Sequence, residues 1–148
     1  MDKNITTFEE LYNICIKHNK EIWQIAQQRE AEQAEISIDD FRKIVKRSLD
    51  AMKDAIQNGL NSKEMSMSGM CGDDCFKLQE FFHKQPALLG STFERITTYA
   101  LATVEENLRM GKIVACPTAG SCAIVPSVLL GVSDEMKIDE ETQLNALI

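Results

Sequence analysis

Apolar residues recur every three or four positions along most of this chain, a period that predicts helices and not strands. Thr7 and Glu10 have the spacing of a capping box, and Leu11, Ile14, Cys15, His18, Ile22, Ile25 and Ala26 follow on one face. One helix is therefore expected from Phe8 into the low thirties. Its end, residues 27–35, is rich in Gln, Glu and Ala with almost nothing large to bury, and is expected to project into solvent. A second helix starts behind Ser37 and Asp40, carries Phe41, Ile44, Val45, Leu49, Met52, Ala55 and Ile56, and stops at Asn58 and Gly59.

The period is then lost. Ser62, Ser66, Ser68, Gly69, Gly72, Asp73 and Asp74 make residues 61–74 an ordered loop. Cys75 to Lys84 reads as a short helix ended ahead of Pro86, because proline disfavours helical geometry in the residue before it. Ser91 with Glu94 forms a third capping box, leading into Phe93, Ile96, Thr97, Ala100, Leu101, Val104 and Leu108 until Gly111. Lys112 to Pro117 is short, apolar and β-branched, and predicts extended chain; Thr118 to Ser121 turn it into a short helix over Ala123 to Leu130. Asp139 caps a last helix with Leu144, Leu147 and Ile148, where the chain ends on apolar residues without a stop signal. That ending suggests a piece of a longer protein, with an exposed end that self-associates, as a homo-oligomer, or frays. The fold expected is all-α: one domain over 1–148, a two-helix unit over 1–59, a motif-bearing part over 60–148, and one short extended segment before a PTAGSC turn.

Composition narrows the classes of partner. The 148 residues suit a single core, and 44% apolar with 26% charged residues is globular composition. The net charge of −7 comes with no Lys or Arg cluster to neutralise phosphates, which argues against nucleic acid. The longest strongly apolar stretch, Ala123 to Val132, contains Pro126 and falls far short of the roughly 20 residues that cross a bilayer, which argues against a membrane partner. Asp2, Asn4, Thr6, Thr7, Glu9 and Glu10 stand where a secretory signal needs a basic flank and an apolar run, so a cytoplasmic location is expected. Five cysteines, an odd number, are expected there as thiols or ligands and not as disulfides.

Thr118 to Cys122 is the segment with the clearest chemistry. A glycine-containing turn at a helix start presents free N–H groups that favour an anion or a thiolate, and Pro117 and Pro126 stiffen its flanks. Taken alone, Cys122 reads as a small buried core residue, since free cysteine is commonly buried. Cys71 and Cys75 have a CxxxC spacing, but structural zinc wants a tighter pair with two further ligands, and a radical-type cluster needs a third cysteine where Leu78 stands. Asp74 and Lys77 alone read as an exposed charge pair, His18 and His83 as structural, and Met65, Met67 and Met70 as fillers of irregular packing.

Residues Lys112 to Leu130, KIVACPTAGSCAIVPSVLL, resemble the pattern IVAAPTAGSCGIVPAVL of iron-sulfur-dependent L-serine dehydratases, in their α subunit or α domain. A second segment of that family, SGLTGGDAxK, is similar to Ser68–Lys77, with Ser68, Gly69, Gly72, Asp74 and Lys77 matching. Glu105 and Asn107 stand where the family has a Glu and an Asn ahead of the PTAG turn. Asp73 replaces the second glycine of the GGD element, where glycine permits a positive φ, so an altered loop is expected; Ala123 replaces the glycine after Cys122. Cys116 stands where the family has a small residue and is taken as core packing.

The resemblance implies a lyase of amino-acid catabolism that converts L-serine to pyruvate and ammonia on a four-iron four-sulfur cluster. It implies Cys122 as the first cluster ligand, with the other two cysteines in a later segment that has no counterpart here. It further implies substrate contacts from Ser68, Gly69, Asp74, Lys77, Asn107, Thr118 and Gly120, while the proton-abstracting base stays unassigned. The partners implied are L-serine, the C-terminal part of the α subunit, and a β subunit or domain. The chain alone is expected to be inactive. The rival reading is a non-catalytic helical scaffold or interaction protein derived from that family.

Overall fold

A computed structural model describes residues 5–148; Asp2 and Asn4 of the N-terminal reading lie outside the described residues. Among these, seven α-helices and no strand form: α1 (Phe8–His18), α2 (Ile22–Gln33), α3 (Ile38–Asn61), α4 (Asp74–Lys84), α5 (Ser91–Leu108), α6 (Ile124–Met136) and α7 (Glu140–Leu147). The all-α expectation holds. None of the helices is long and apolar enough to cross a membrane. The chain divides into two compact units, one of residues up to Arg47 with Leu144–Ile148, the other of Ser48–Gln143.

In the first unit α1 opens on the expected capping box, the Thr7 hydroxyl accepting from the Glu10 N–H at 3.2 Å and the Glu10 carboxylate from the Thr7 N–H at 3.1 Å. The single helix expected into the low thirties is two helices. Asn19 takes the left-handed conformation at φ 50 and closes α1, and Glu21 opens α2. Asparagine enters that region at low cost, so it can stop a helix whose apolar period continues beyond it. Within residues 27–35, Glu30 and Glu32 to Glu35 are exposed as expected, but Ala31 is buried and Gln27 accepts from the Arg42 guanidinium at 3.0 Å. Arg42 also reaches Asn145 at 2.9 Å and lies over the Trp23 ring at 5.6 Å. Leu144 is buried and Leu147 and Ile148 are half-buried, so the exposed apolar end expected from the sequence is turned inward. It is α1 that has no buried residue, with Phe8, Tyr12 and Ile16 on its open side.

The second unit is built around α5. Leu49, Met52 and Ile56 of α3, Cys75 of α4, Ala102 of α5 and Leu130 of α6 form its core, the large side chains each contributing about 2 kcal/mol by leaving water. α3 runs past the expected stop at Asn58 and Gly59 to Asn61. Gly59 serves close approach instead: a Cβ there would overlap the backbone of Ala102, so the two helices touch main chain to main chain. α4 forms as expected and packs on α5, and α5 packs along α6. The Ser91–Glu94 box does not form, because Gly90 is the N-cap and the Ser91 hydroxyl donates to Glu135 of α6 at 3.0 Å. Asp139 caps α7 as expected, accepting from the Thr142 N–H at 2.9 Å, a bond that holds its carboxyl below the usual carboxylate range.

Candidate functional site

The loop ahead of α4 is closed by its own serines. The Ser66 N–H donates to the Cys71 carbonyl at 2.7 Å, its hydroxyl pairs with that of Ser68 at 3.1 Å, and the Gly69 N–H returns to the Ser66 carbonyl at 2.8 Å. Gly72 stands at φ +131, where a Cβ would lie 2.9 Å from the Glu64 carbonyl oxygen and from Met65 Cα; both conformation and space demand glycine. Asp73, at the position where the resemblance expects glycine, is left-handed with φ 66. Aspartate is among the residues that tolerate this region, so Asp73 can hold a left-handed turn here. Ser68, Gly69, Asp74 and Lys77 are all exposed. The Lys77 ammonium lies 3.6 Å from the Asp73 carboxylate and 3.9 Å from that of Asp74, exposed pairs worth little. Met65, Met67 and Met70 do not fill core space: the loop turns inward on its serine bonds and leaves them 47%, 86% and 84% exposed.

What fixes this loop to the domain is Glu105 of α5, whose role no local pattern reveals. Its side chain is buried, and one carboxylate oxygen accepts the N–H groups of Asp74 at 2.6 Å and Cys75 at 2.9 Å, the first two residues of α4. Asp73 makes no side-chain cap, so two first-turn donors of α4 are met by a carboxylate some thirty residues away. The other oxygen of Glu105 lies 3.5 Å from the Arg109 guanidinium, which is itself buried and also bonds the Glu64 carbonyl at 3.5 Å. A signal was present: Glu105 falls on the face of α5 that buries Thr98 and Ala102, and an acid on a buried face needs partners. Two N–H groups at the α4 N-terminus are thus taken by a carboxylate of the protein itself. Cys75 beneath it is fully buried; burial and the neighbouring Glu105 push its thiol up to about 11.

The turn ahead of α6 is locked locally. The Ser121 hydroxyl donates to the Cys116 carbonyl at 2.6 Å and lies 3.2 Å from the Thr118 hydroxyl. Ala119–Ser121 form a single turn of 3-10 helix, and the Cys122 N–H returns to the Ala119 carbonyl at 3.3 Å. The Cys116–Pro117 peptide is cis. Cys122 is buried, whereas Thr118 and Gly120 are exposed. A Cβ at Gly120 would meet only the Thr118 hydroxyl, at 3.8 Å, so the fold itself leaves open space at this point.

The structure thus groups Ser68 and Gly69 on one loop, Asp74 with Lys77 at the start of α4, and Thr118, Gly120 and Cys122 on the second turn. Asn107 is exposed near the end of α5, two residues after Glu105. No hydrogen bond or ion pair among the described residues joins 61–78 to 112–123. All five cysteines are free, and no group of three His, Cys, Asp or Glu side chains among the described residues could hold a metal ion. The donor set of this chain offers the thiols of Cys116 and Cys122 around the turn and does not by itself make a cluster site.

Comparison with known proteins agrees with the two motifs. The sequence model of the family described as "Serine dehydratase alpha chain" matches residues 17–148. The chain is 24% identical over 144 residues to the L-serine dehydratase alpha chain of Peptoniphilus asaccharolyticus, covering 97% of this chain and 49% of the relative. It is 33% identical over 119 residues to the probable L-serine dehydratase alpha chain of Bacillus subtilis (strain 168), covering 80% and 39%. It is 35% identical over 135 residues to the L-serine dehydratase of Helicobacter pylori (strain ATCC 700392 / 26695), covering 86% and 28%. The chain spans half or less of the length of these relatives. No solved structure matches it significantly. With its motif loop, its PTAGSC turn and nearly all of its length matched, the chain belongs to the serine dehydratase alpha chain family.

Proposed function

We propose that this chain works as one component of an iron-sulfur L-serine dehydratase, a cytoplasmic lyase that forms pyruvate and ammonia from L-serine. The observation that carries the reading is the PTAGSC turn, which delivers Cys122 to the start of α6 within a chain matched to the family over residues 17–148. Cys122 contributes one thiolate to a four-iron four-sulfur cluster, and polypeptide outside this chain contributes the other ligands. When assembled, the cluster supplies a Lewis acid for loss of hydroxide, a poor leaving group. The residues of this chain orient the substrate: Thr118 and Gly120 beside the open space of the turn, Ser68, Gly69, Asp74 and Lys77 on the loop before α4, and Asn107 at the end of α5. The partners are L-serine, the remaining α segment and a β subunit or domain.

The test is anaerobic cluster reconstitution followed by serine-dependent pyruvate formation, with and without a separately supplied C-terminal α segment and β subunit. Pyruvate from the complete mixture, lost on Cys122→Ala, is the expected result. No iron uptake and no pyruvate in any combination would overturn the reading. A second reading, a non-catalytic helical interaction protein, is favoured by the bare apolar side of α1, where Phe8, Tyr12 and Ile16 are 71%, 55% and 61% exposed. A colourless chain that forms a defined oligomer, dispersed when Tyr12 and Ile16 are made polar, would select it.

A further inference from the structure

We propose that Glu105 is the positioning residue of the 64–77 motif loop, holding the loop's substrate-contacting residues in register for the dehydratase reaction. This rests on the functional reading above and adds to it a residue that touches neither substrate nor cluster. Three observations converge. Glu105 is 2% exposed, yet it spends its carboxylate on a backbone outside its own helix, through the Asp74 and Cys75 N–H groups at 2.6 and 2.9 Å. Its partner Arg109, one helical turn on, reaches the carbonyl of Glu64 at the other end of the loop. The span between these two anchors contains Ser68 and Gly69, and its tip is held by the short serine bonds of residues 66–71.

A buried carboxylate is costly unless its hydrogen bonds are made, so a fold that needed only to fill this space would place an apolar side chain here. What an apolar residue cannot do is accept two N–H groups at a helix start whose own cap residue, Asp73, makes no side-chain cap. The α5 scaffold and the loop are joined through this one side chain at the end that leads into Asp74 and Lys77. Losing the carboxylate leaves α4 in place, since it still packs on α5. It frees the loop to sample other arrangements, which weakens substrate binding more than turnover.

The test compares Glu105→Ala and Glu105→Gln in two measurements: hydrogen exchange of the full chain, and serine kinetics of the complete dehydratase assembly. Glu105→Ala should speed exchange of the Asp74 and Cys75 amides and of residues 64–72 by about tenfold, and raise KM for serine by about tenfold with kcat changed less than about threefold. Glutamine keeps an oxygen for both N–H groups but turns its amide donor toward Arg109, so both readouts should shift by about threefold. Exchange unchanged in both variants overturns the proposal, as does a loosened loop with wild-type KM. If the alanine variant does not fold, the glutamine variant decides: a parallel shift of exchange and KM supports the proposal, and a shift missing from either overturns it. Absence of pyruvate from the wild-type assembly overturns the functional reading and the substrate half of this inference with it, while exchange still decides whether Glu105 holds the loop.

Discussion

Two segments of this chain each bring a motif to the start of a helix, and they are held in opposite ways. The turn before α6 is self-contained: Thr118, Ser121 and Cys116 bond one another within six residues. The loop before α4 closes its tip on its own serines but is tied to the domain from outside, by Glu105 and Arg109 of α5. A self-bonded turn carries its geometry with it, and a clamped loop has geometry only while its distant anchor is in place. One family motif is therefore sensitive chiefly to its own residues and the other to a helix far away in sequence.

The sharpest way to break this contrast is at the anchor. Glu105→Ala should destabilise the folded chain by about 3 kcal/mol in urea denaturation, because it leaves two N–H groups without their acceptor and takes from the buried Arg109 guanidinium one of its two carboxylates, the Glu106 carboxylate staying at 3.5 Å. Gly72→Ala attacks the same loop through its backbone, at φ +131 with no room for a methyl group, and should cost about 2 kcal/mol. On the other segment, Ser121→Ala removes the bond to the Cys116 carbonyl and should cost about 1 kcal/mol, with hydrogen-exchange changes confined to residues 116–123. A loss of protection that spread into 64–75 would show the two segments to be coupled and spoil the distinction. Gly120→Ala should change stability by less than about 0.5 kcal/mol, since the added methyl meets only the Thr118 hydroxyl. If it also abolishes pyruvate formation by the complete assembly, the open space there serves the substrate and not the fold.

A titration sharpens the comparison from beneath the clamp. The Cys75 thiol, ordinarily near 9.0 and here pushed up to about 11, is neutral in the folded chain where an unfolded thiol would begin to ionise. Its contribution to stability is fully present below pH 9 and is lost as the pH rises through 11. Over that window wild type should lose stability relative to Cys75→Ala, measured as the difference between their urea midpoints. At pH 8 a small alkylating reagent should modify the exposed Cys71 well ahead of Cys75.

The same contrast explains what the sequence makes legible. Caps whose partners are three residues apart, Thr7 with Glu10, Ser37 with Asp40 and Asp139 with Thr142, form as read. Ser91 with Glu94 has the same spacing and does not cap, because Glu135 of α6 takes the Ser91 hydroxyl, a competitor no local pattern contains. The break at Asn19 is hidden because apolar periodicity continues through a residue that nonetheless adopts φ 50. The left-handed turn at Asp73 could be anticipated, since glycine stands there in the motif it resembles. The two motifs and the family are legible because they are contiguous. The duty of Glu105 is not, because its bonds span about thirty residues: the family pattern marks its position and the buried face of α5 calls for partners, but neither names them.

Because the clamp is two side chains on successive turns of one helix, the loop and α5 share a single register. A residue inserted in α5 ahead of Glu105 would swing that carboxylate by about 100° and lift it by about 1.5 Å, away from Asp74 and Cys75. Residues added at the tip of the loop, between Met67 and Cys71, leave both anchored ends where they are. Change of length is thus open to this protein at the loop's tip and closed in the helix that holds it, so the motif can vary in reach without losing its footing.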